Sequence, residues 1–341
     1  MKILLISTTV FPLPPQGYSG TEMLVYHLAE GLVKKGHQVT VVCPEGSRFT
    51  QNVEPIYTPV REEEEKSWLR YRGRLEAWEW EVILDATFQR WGVMSSAGRE
   101  RELPIINWNH TSPTIYQSLP PVRYPMFVGL SRPHAEEMSR AWGCLVKYVH
   151  NGIDLELYKS NGQPKGERYL SIGRYTPEKG FLETISLAKR LRVGVDLYGD
   201  IEIIASPAYK DRCFLEADGF LARTNPGVSR DATVGLYSTH RGLLHLHRWN
   251  EPFSLVVLEA QACGCPPIAM RRGGPSELIR HGENGFLVDS DDEAAELIAR
   301  DAVREINPET MRRWVEERFS LEVFVTNWEK LLLETAAGNR W

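Results

Sequence analysis

Two glutamates near residue 250 have the residue type and setting of ligand-binding groups. Glu251 precedes a short apolar segment and Glu259 lies inside it, in the stretch EPFSLVVLEAQACG. A carboxylate among apolar neighbours is costly unless it is paired, hydrogen-bonded or bound to a ligand. Ser254 lies at the predicted helix start, where the backbone N–H groups of Ser254 and Leu255 could receive an anion. The segment therefore predicts a polar ligand site.

Two cations lie in a second turn, which follows a predicted strand. In SIGRYTPEKGFLETI, Arg174 and Lys179 flank a turn in which Thr176 is the predicted helix cap and Pro177 occupies the first helical turn. An Arg can hold phosphate oxygens at two points, and a Lys adds a compact charge. The helix start favours the same anion. On the residues alone, two solvent-exposed cations without a ligand are slightly favoured over phosphate binding, because a helix start does not attract cations.

The elements that carry these residues predict two α/β domains. A buried strand at 2–8, a loop with Gly17 and Gly20, and an amphipathic helix from Thr21 form a βαβ opening. This opening places the glycine loop at the carboxyl end of a strand, where open α/β sheets bind ligands. A second series begins near residue 168 after a polar linker, and 341 residues exceed an ordinary single domain. Further strands are predicted at 37–43, 82–85, 104–108, 126–130, 146–149, 168–173, 193–199 and 243–247.

The ordered set of motifs resembles the donor-site signature of the family 4 retaining glycosyltransferases. The shared motifs are the two glutamates eight apart, GGPSELI, NGFLV and the pattern Gly-Arg-x4-Lys-Gly. The resemblance implies an α/β fold of the GT-B type, with two Rossmann-like parallel-sheet domains facing each other across a cleft. The acceptor-side domain would span 1–155, completed by the C-terminal helix 320–341, and the donor-side domain would span 165–319.

The same resemblance implies roles for individual residues. Glu251 would face hydroxyls of the transferred sugar and Glu259 the ribose of the nucleotide. His110, which follows the predicted strand 104–108, would lie near the transferred sugar and the reaction centre, so His110 and Glu251 are the candidate catalytic residues. Ser19 stands where the family usually has a second glycine beside Gly20. The implied donor-binding residues are Gly17, Gly20, Arg174, Lys179, Glu251, Phe253, Ser254, Leu255 and Glu259.

The implied activity is transfer of a hexose, with retention, from a UDP- or GDP-linked sugar to a hydroxyl of a saccharide, a glycolipid or a small metabolite. A nucleotide-sugar epimerase of similar fold and a non-catalytic nucleotide-sugar-binding module stay open as alternatives. No metal and no other cofactor is expected, because His245 and His247 lack an identifiable third ligand and Asp289-x-Asp291 fits a helix-capping segment. A dinucleotide oxidoreductase is disfavoured, since no G-x-G-x-x-G follows the first strand.

Composition narrows the choice of partners and compartment. A net charge of −5 disfavours a nucleic-acid partner. The five cysteines do not have a zinc-binding spacing, so we expect buried free thiols and a cytoplasmic location. The sequence contains no apolar run of eighteen residues, so no membrane-spanning helix is predicted. Peripheral contact with the inner face of the membrane is a further expectation, and the oligomeric state is left open. Segment 61–81 predicts an amphipathic helix, with an acceptor-side stacking surface as the alternative role for Trp68, Trp78, Trp80 and Trp91.

Overall fold

A computed structural model of the chain describes residues 1–17, 19–77, 79–96, 103–113, 122–200 and 206–341. These residues divide into two compact units. The first unit contains residues 1–15, the described residues between 19 and 152, and the C-terminal segment 321–341. The second unit contains residues 16–17 and the described residues between 153 and 320. Trp78 lies outside the described residues, so its predicted role stays a prediction.

The first unit is built on a parallel sheet with the strand order β3-β2-β1-β4-β5-β6-β7. Its central strands are almost fully buried, as expected for a parallel sheet covered on both faces. The strands are β1 Lys2–Ile6, β2 Gln38–Pro44, β3 Glu54–Thr58, β4 Val82–Asp85, β5 Ile105–Trp108, β6 Phe127–Gly129 and β7 Val146–Tyr148. The helices are α1 Thr21–Lys34, α2 Glu64–Glu76, α3 Trp91–Met94, α4 Arg132–Trp142 and, at the other end of the chain, α12 Leu321–Ala336.

The second unit repeats this architecture with the strand order β10-β9-β8-β11-β12-β13. Every described strand pair in it is parallel. The strands are β8 Tyr169–Ile172, β9 Val195–Gly199, β10 Ala222–Pro226, β11 Leu243–His245, β12 Pro267–Met270 and β13 Phe286–Val288. The helices are α5 Phe181–Leu191, α6 Pro207–Glu216, α7 Arg230–Thr239, α8 Leu255–Ala262, α9 Pro275–Leu278, α10 Asp291–Ala299 and α11 Pro308–Phe319, with short 3-10 turns at Pro177–Lys179 and Ala302–Glu305.

Three local expectations are corrected by the structure. The strand Glu54–Thr58 was not predicted, because it lies at a sheet edge, contains Pro55 and is only partly buried. The stretch ARTNP, which is not among the predicted strands, forms the edge strand β10. Thr176 makes no side-chain cap, and α5 begins only at Phe181, after a 3-10 turn and Gly180 in the left-handed region.

The predicted fold class is confirmed: two Rossmann-like parallel-sheet units, each with helices beside its sheet. In each sheet the strand order reverses at one point, between β1 and β4 in the first unit and between β8 and β11 in the second. Ligands of open α/β sheets bind outside the carboxyl ends of the strands at such a reversal. The loops after these four strands are therefore the first places to look for a site.

Candidate functional site

A buried ion pair lies at the strand-order reversal of the second unit. Nζ of Lys179 is 2.6 Å from Oε2 of Glu251, and both residues are more than nine-tenths buried. Lys179 follows β8 and Glu251 follows β11, the two strands between which the order reverses. The fold thus joins two predicted site residues that are 72 positions apart in the sequence.

Two further side chains, those of Trp249 and His245, lie beside the carboxylate of Glu251. Nε1 of Trp249 donates to Oε2 of Glu251 over 2.9 Å, and Nζ of Lys179 lies 5.4 Å from the centre of the Trp249 ring. Nε2 of His245 is 3.8 Å from the same oxygen and 3.1 Å from Oγ of Ser254. The carboxylate is held by one cation and one neutral donor, with an imidazole beside it. These contacts fix the orientation of the buried carboxylate, as a binding site for a polar ligand requires.

The charges of this cluster follow from its surroundings. Burial acts to raise the pKa of Glu251, but the charge of Lys179 and its hydrogen bond, with His245 and His247 adding to the effect, outweigh burial and lower the pKa to about 2. Burial, reinforced by His247, lowers the pKa of His245 well below its ordinary value. At neutral pH the cluster therefore holds a carboxylate and a neutral imidazole.

Glycines bring the backbones of this site together. Gly180 has a φ of +69°, and a Cβ on it would lie 1.9 Å from the carbonyl oxygen of Leu246. Gly273 has the same φ, and a Cβ there would lie 2.2 Å from the carbonyl oxygen of Glu251. The next residue, Gly274, donates its N–H to that oxygen over 2.7 Å. The glycine doublet of GGPSELI therefore packs against the backbone that carries Glu251.

Arg174 has a different immediate partner from Lys179. Its guanidinium pairs with the Glu178 carboxylate at 3.0 Å, across the 3-10 turn. The carbonyl of Glu178 accepts the N–H of Arg248 over 2.8 Å, which ties this turn to the segment before Glu251. The Arg174 side chain keeps about a quarter of its surface exposed. Arg174 thus lies on the same turn as Lys179, partly open to solvent, and its assignment to the diphosphate stays a prediction.

The helix start after Glu251 has an unusual backbone. Ser254 is the residue before α8 and has a φ of +89°, in the left-handed region that non-glycine residues rarely adopt. Its hydroxyl contacts His245 and makes no cap to the helix. Phe253 is buried, with its ring 6.2 Å from that of Phe319, and Leu255 is the first helical residue. Strain of this kind clusters at ligand sites.

Glu259 lies inside α8 and is also more than nine-tenths buried. The hydroxyl of Tyr237 donates to its Oε2 over 2.9 Å. Burial raises the pKa of Glu259, while the charge of Arg230 and the hydroxyls of Tyr237 and Tyr158 act to lower it. Glu259, an acidic residue in an apolar helix, therefore has the hydrogen-bond partner that its burial requires.

His110 belongs to the first unit, where it follows β5. Its ring lies 4.6 Å from that of Trp108, centre to centre. Burial, with His134 as a second cause, lowers the pKa of His110 to about 3, so its ring is neutral at neutral pH. Among the described residues, no group hydrogen-bonds to its buried Nε2. His110 has the form of a neutral polar group at a strand's carboxyl end, and its catalytic role stays a prediction.

The glycine loop of the first unit is fastened by a buried glutamate. Glu22, at the start of α1, accepts hydrogen bonds from the hydroxyls of Thr8 and Ser19. Thr8 follows β1, so this contact ties the loop to the strand-order reversal of the first sheet. Ser19, where the related family has glycine, thus has a structural role. Gly20 precedes α1, and a Cβ on Gly17 would meet no atom within 4 Å.

Other predicted features have structural partners. Nδ1 of His247 contacts the carbonyl of His245 at 3.0 Å and its Nε2 contacts the carbonyl of Arg272 at 2.9 Å. The rings of Trp68 and Trp91 stack with centres 5.4 Å apart, and Trp68 and Trp80 pack against the apolar core of the first unit. The five cysteines are free thiols, four of them buried. Core positions therefore account for most of these aromatic residues.

Sequence reasoning missed three residues that hydrogen-bond to residues it had singled out: Glu22 bonds to Ser19, Trp249 to Glu251 and Tyr237 to Glu259. Glu22 and Trp249 stand directly beside recognised motifs, in SGTE and RWNEP, and could have been found as the nearest polar or aromatic neighbours. Tyr237 lies 22 positions from Glu259, and no local pattern connects these two residues. Their contact arises only from the fold.

Comparisons with known proteins agree with this architecture. The chain matches the sequence profile described as "Glycosyl transferases group 1" over residues 155–318 and that described as "Glycosyltransferase Family 4" over residues 18–157. It is 38% identical over 95 residues to a probable sucrose-phosphate synthase of Thermosipho melanesiensis, covering 26% of this chain and 22% of that protein. It is 26% identical over 182 residues to a D-inositol 3-phosphate glycosyltransferase of Mycobacterium sp. (strain JLS), covering 49% of this chain and 41% of that protein. The matches thus span less than half the length of these curated relatives.

Solved structures resemble the whole chain at low sequence identity. A glycosyltransferase involved in avilamycin A biosynthesis has a TM-score of 0.79 at 21% identity, covering 100% of this chain and 99% of that one. Anabaena HepE, solved with UDP and glucose, has a TM-score of 0.75 at 19% identity, covering 98% and 100%. These likenesses establish the GT-B type of fold. Within the described ranges, no helix combines the length and apolar character needed to cross a membrane. With one glycosyltransferase profile over each half, and with Lys179 paired to Glu251 at a strand-order reversal, the chain belongs to the family 4, or group 1, glycosyltransferases.

Proposed function

We propose that the protein transfers a hexose, with retention of anomeric configuration, from a UDP- or GDP-linked sugar to a hydroxyl acceptor. The acceptor class is a saccharide, a glycolipid or a small metabolite. The observation that carries the proposal is the buried Lys179–Glu251 pair at the strand-order reversal of the second sheet. It combines a cation suited to phosphate and a carboxylate suited to sugar hydroxyls in the place where open α/β sheets bind ligands.

The leaving diphosphate gains negative charge as the glycosidic bond breaks, and this charge has to be stabilised. Lys179 supplies a nearly buried cation, and Arg174 supplies a second, partly exposed one on the same turn. The backbone N–H groups at Ser254 and Leu255, at the start of α8, add a partial positive charge. In the proposed reaction these groups neutralise the diphosphate, so no metal ion and no other cofactor is required.

In the proposed reaction the sugar is positioned by Glu251, the carboxylate that pairs with Lys179. When the diphosphate approaches Lys179, the cation gains a second anionic partner, and Glu251 becomes available to accept hydrogen bonds from sugar hydroxyls. Trp249 keeps the carboxylate in place during this exchange through its hydrogen bond to Oε2. Glu259 contacts the ribose, and His110 contributes a neutral polar contact to the transferred sugar.

Retention requires the acceptor oxygen to enter on the face from which the diphosphate leaves, or two successive inversions. Two inversions need a carboxylate nucleophile beneath the anomeric carbon, and the motifs offer no further carboxylate for that role. In the proposed front-face route the acceptor oxygen bonds to the anomeric carbon as the bond to the diphosphate breaks, and the departing phosphate oxygen takes the acceptor's proton. The proposed location is the cytoplasm, at the inner face of the membrane when the acceptor is a lipid.

The first experiment identifies the donor. Purified protein is screened with UDP- and GDP-linked glucose and mannose for thermal stabilisation and for hydrolysis, and active donors are then tested with saccharide and lipid acceptors. A ligand at about 100 times its Kd stabilises the folded state by roughly 2.7 kcal/mol, a measurable shift in Tm. We expect one nucleotide to stabilise the protein and one donor to be consumed, with an α-linked donor yielding an α-linked product.

Variants separate this function from its alternatives. Glu251→Gln is expected to lower turnover by at least about 100-fold, the typical cost of losing a well-placed polar contact in the transition state. Glu283→Gln, which changes an exposed glutamate of the same unit, is the matched control and should leave turnover unchanged. Conversion of the donor sugar without an acceptor would instead indicate an epimerase. Nucleotide binding with no turnover in any variant would indicate a binding module.

A further inference from the structure

We propose that His245 is a positioning residue for the diphosphate of the donor. Through the hydroxyl of Ser254, it holds the left-handed turn that sets the direction of the first N–H groups of α8. The inference rests on the proposed function, because it assumes that a nucleoside diphosphate binds at the start of α8. It extends that proposal to a buried histidine of β11 that acts through another residue.

Three consecutive backbone N–H groups at the start of α8 are available to a ligand. Among the described residues, no group accepts a hydrogen bond from the N–H of Ser254, Leu255 or Val256. The next N–H, that of Val257, donates to the carbonyl of Ser254 over 3.2 Å. Leu255 and Val256 are only partly buried. Free N–H groups at a helix start suit the oxygens of an anion.

The direction of these N–H groups depends on the backbone of Ser254. Its φ is +89° and its ψ is +78°, and a residue with a Cβ keeps such a conformation only where its surroundings enforce it. The chain just before the turn is held from one side, because the N–H of Gly274 donates to the carbonyl of Glu251 over 2.7 Å. A second contact is needed at Ser254 itself.

His245 supplies that second contact. Its Nε2 is 3.1 Å from Oγ of Ser254, and both residues are more than nine-tenths buried. Within the described ranges, His245 is the only hydrogen-bond partner of this hydroxyl, which can donate to Nε2 or accept from it. The His245 ring lies 4.7 Å from that of His247, centre to centre, and its strand β11 pairs with β8 and β12. A residue fixed in the sheet therefore holds the turn.

Two substitutions of Ser254 separate the conformation of the turn from the contact that holds it. Ser254→Ala keeps a Cβ but loses the contact with His245, so the left-handed conformation is no longer supported. Ser254→Gly also loses the contact, but glycine adopts a positive φ without a steric cost. His245→Leu removes the same contact from the other side. Its effect should therefore be large beside Ser254 and small in the Ser254→Gly background.

Calorimetry measures the affinity for UDP relative to uridine, and for GDP relative to guanosine, because this ratio isolates the contribution of the diphosphate. We expect Ser254→Ala and His245→Leu each to lower the ratio by about tenfold, the cost of one hydrogen bond to a charged group. In the Ser254→Gly background, His245→Leu should lower it by less than about twofold. His240→Leu is the matched control, since it removes another buried histidine of the same unit, bonded to Asp196, and should leave the ratio unchanged.

The outcomes separate the two proposals. If the wild type binds neither UDP nor GDP, the proposed function fails and the inference fails with it. If a nucleotide binds but His245→Leu lowers the ratio equally in both backgrounds, His245 does not act through the turn and the inference is overturned. It is also overturned if His245→Leu and Ser254→Ala lower the Tm but keep the full ratio, as a purely structural contact would. A loss of the ratio confined to the Ser254 background, at a Tm no lower than that of His240→Leu, supports positioning.

Discussion

The two units each place a buried glutamate beside a strand-order reversal, and they hold it in opposite ways. In the second unit Glu251 pairs with the cation of Lys179 and accepts a hydrogen bond from Trp249. In the first unit Glu22 accepts hydrogen bonds from the neutral hydroxyls of Thr8 and Ser19. Within the described parts of the chain, no cation pairs with Glu22. One carboxylate is neutralised, and the other is only solvated by hydroxyls.

The difference teaches what each loop does. A buried carboxylate that is hydrogen-bonded to neighbouring hydroxyls fixes local backbone, which suits a loop that must keep one shape. A buried ion pair contributes little net stability but is costly to break from one side. It also leaves both members able to exchange partners with a charged ligand. The comparison supports the proposed ligand site in the second unit and indicates loop anchoring by Glu22 in the first.

Removing the cation is expected to have the largest effect. Lys179→Met leaves Glu251 buried without its counter-charge, which should lower the free energy of unfolding by about 3–5 kcal/mol. Equilibrium unfolding in denaturant, followed by a spectroscopic signal from the second unit, measures this loss of unfolding free energy. The double variant Lys179→Met with Glu251→Gln removes both charges and should recover most of the stability, although turnover stays absent. A single variant within about 1 kcal/mol of the wild type would contradict the ion pair described here.

A pH dependence of intermediate size is expected from two histidines whose pKa is lowered by burial, His110 in the first unit and His245 in the second. His110 and His245 stay neutral in the folded protein, whereas in the unfolded chain a histidine takes a proton below its ordinary pKa of 6.5. The contribution of each neutral histidine to the free energy of unfolding is therefore complete above pH 6.5 and is lost as the pH falls. For His110 this loss continues until the pH reaches the lowered pKa of about 3. Each histidine should steepen the loss of unfolding free energy by up to about 1.4 kcal/mol per pH unit.

Histidine variants test which unit contributes to the pH dependence of the unfolding free energy. Unfolding curves between pH 7 and 5 are compared for the wild type, His110→Asn and His245→Asn. Each variant should have a shallower dependence on pH than the wild type, whatever its absolute stability. Identical slopes in all three proteins would show that neither ring is held neutral by burial.

The smallest effect is expected in the first unit. Ser19→Ala removes one of the two hydroxyls that bond Glu22, and the carboxylate keeps Thr8, so the expected loss is about 1 kcal/mol of unfolding free energy. Ser19→Thr, which keeps a hydroxyl, is the matched control and should retain most of the stability. A loss in Ser19→Ala as large as that in Lys179→Met would remove the distinction between the two glutamates.

Much of the architecture was predictable because its signals are local. The strand Val82–Asp85 was predicted with its observed ends, and the amphipathic helix predicted from Thr21 begins at that residue. The predictions failed where local signals were weak or misleading. The edge strands β3 and β10 carry polar residues, and Thr176 and Pro177 suggested a helix start that the chain delays to Phe181. Edge pairing depends on the neighbouring strand, which lies elsewhere in the sequence.

The amino-acid sequence by itself determined where most strands and helices form and which loops carry the candidate site residues, because strand and helix periodicity and motif spacing are properties of short segments. The tertiary structure alone decided which of those residues meet. Lys179 contacts Glu251 because β8 and β11 are neighbours in the sheet, and Glu259 contacts Tyr237 because α7 packs beside α8. Such contacts join residues far apart in the chain, and the energy that selects them comes from burying the faces of whole elements, which no single motif encodes.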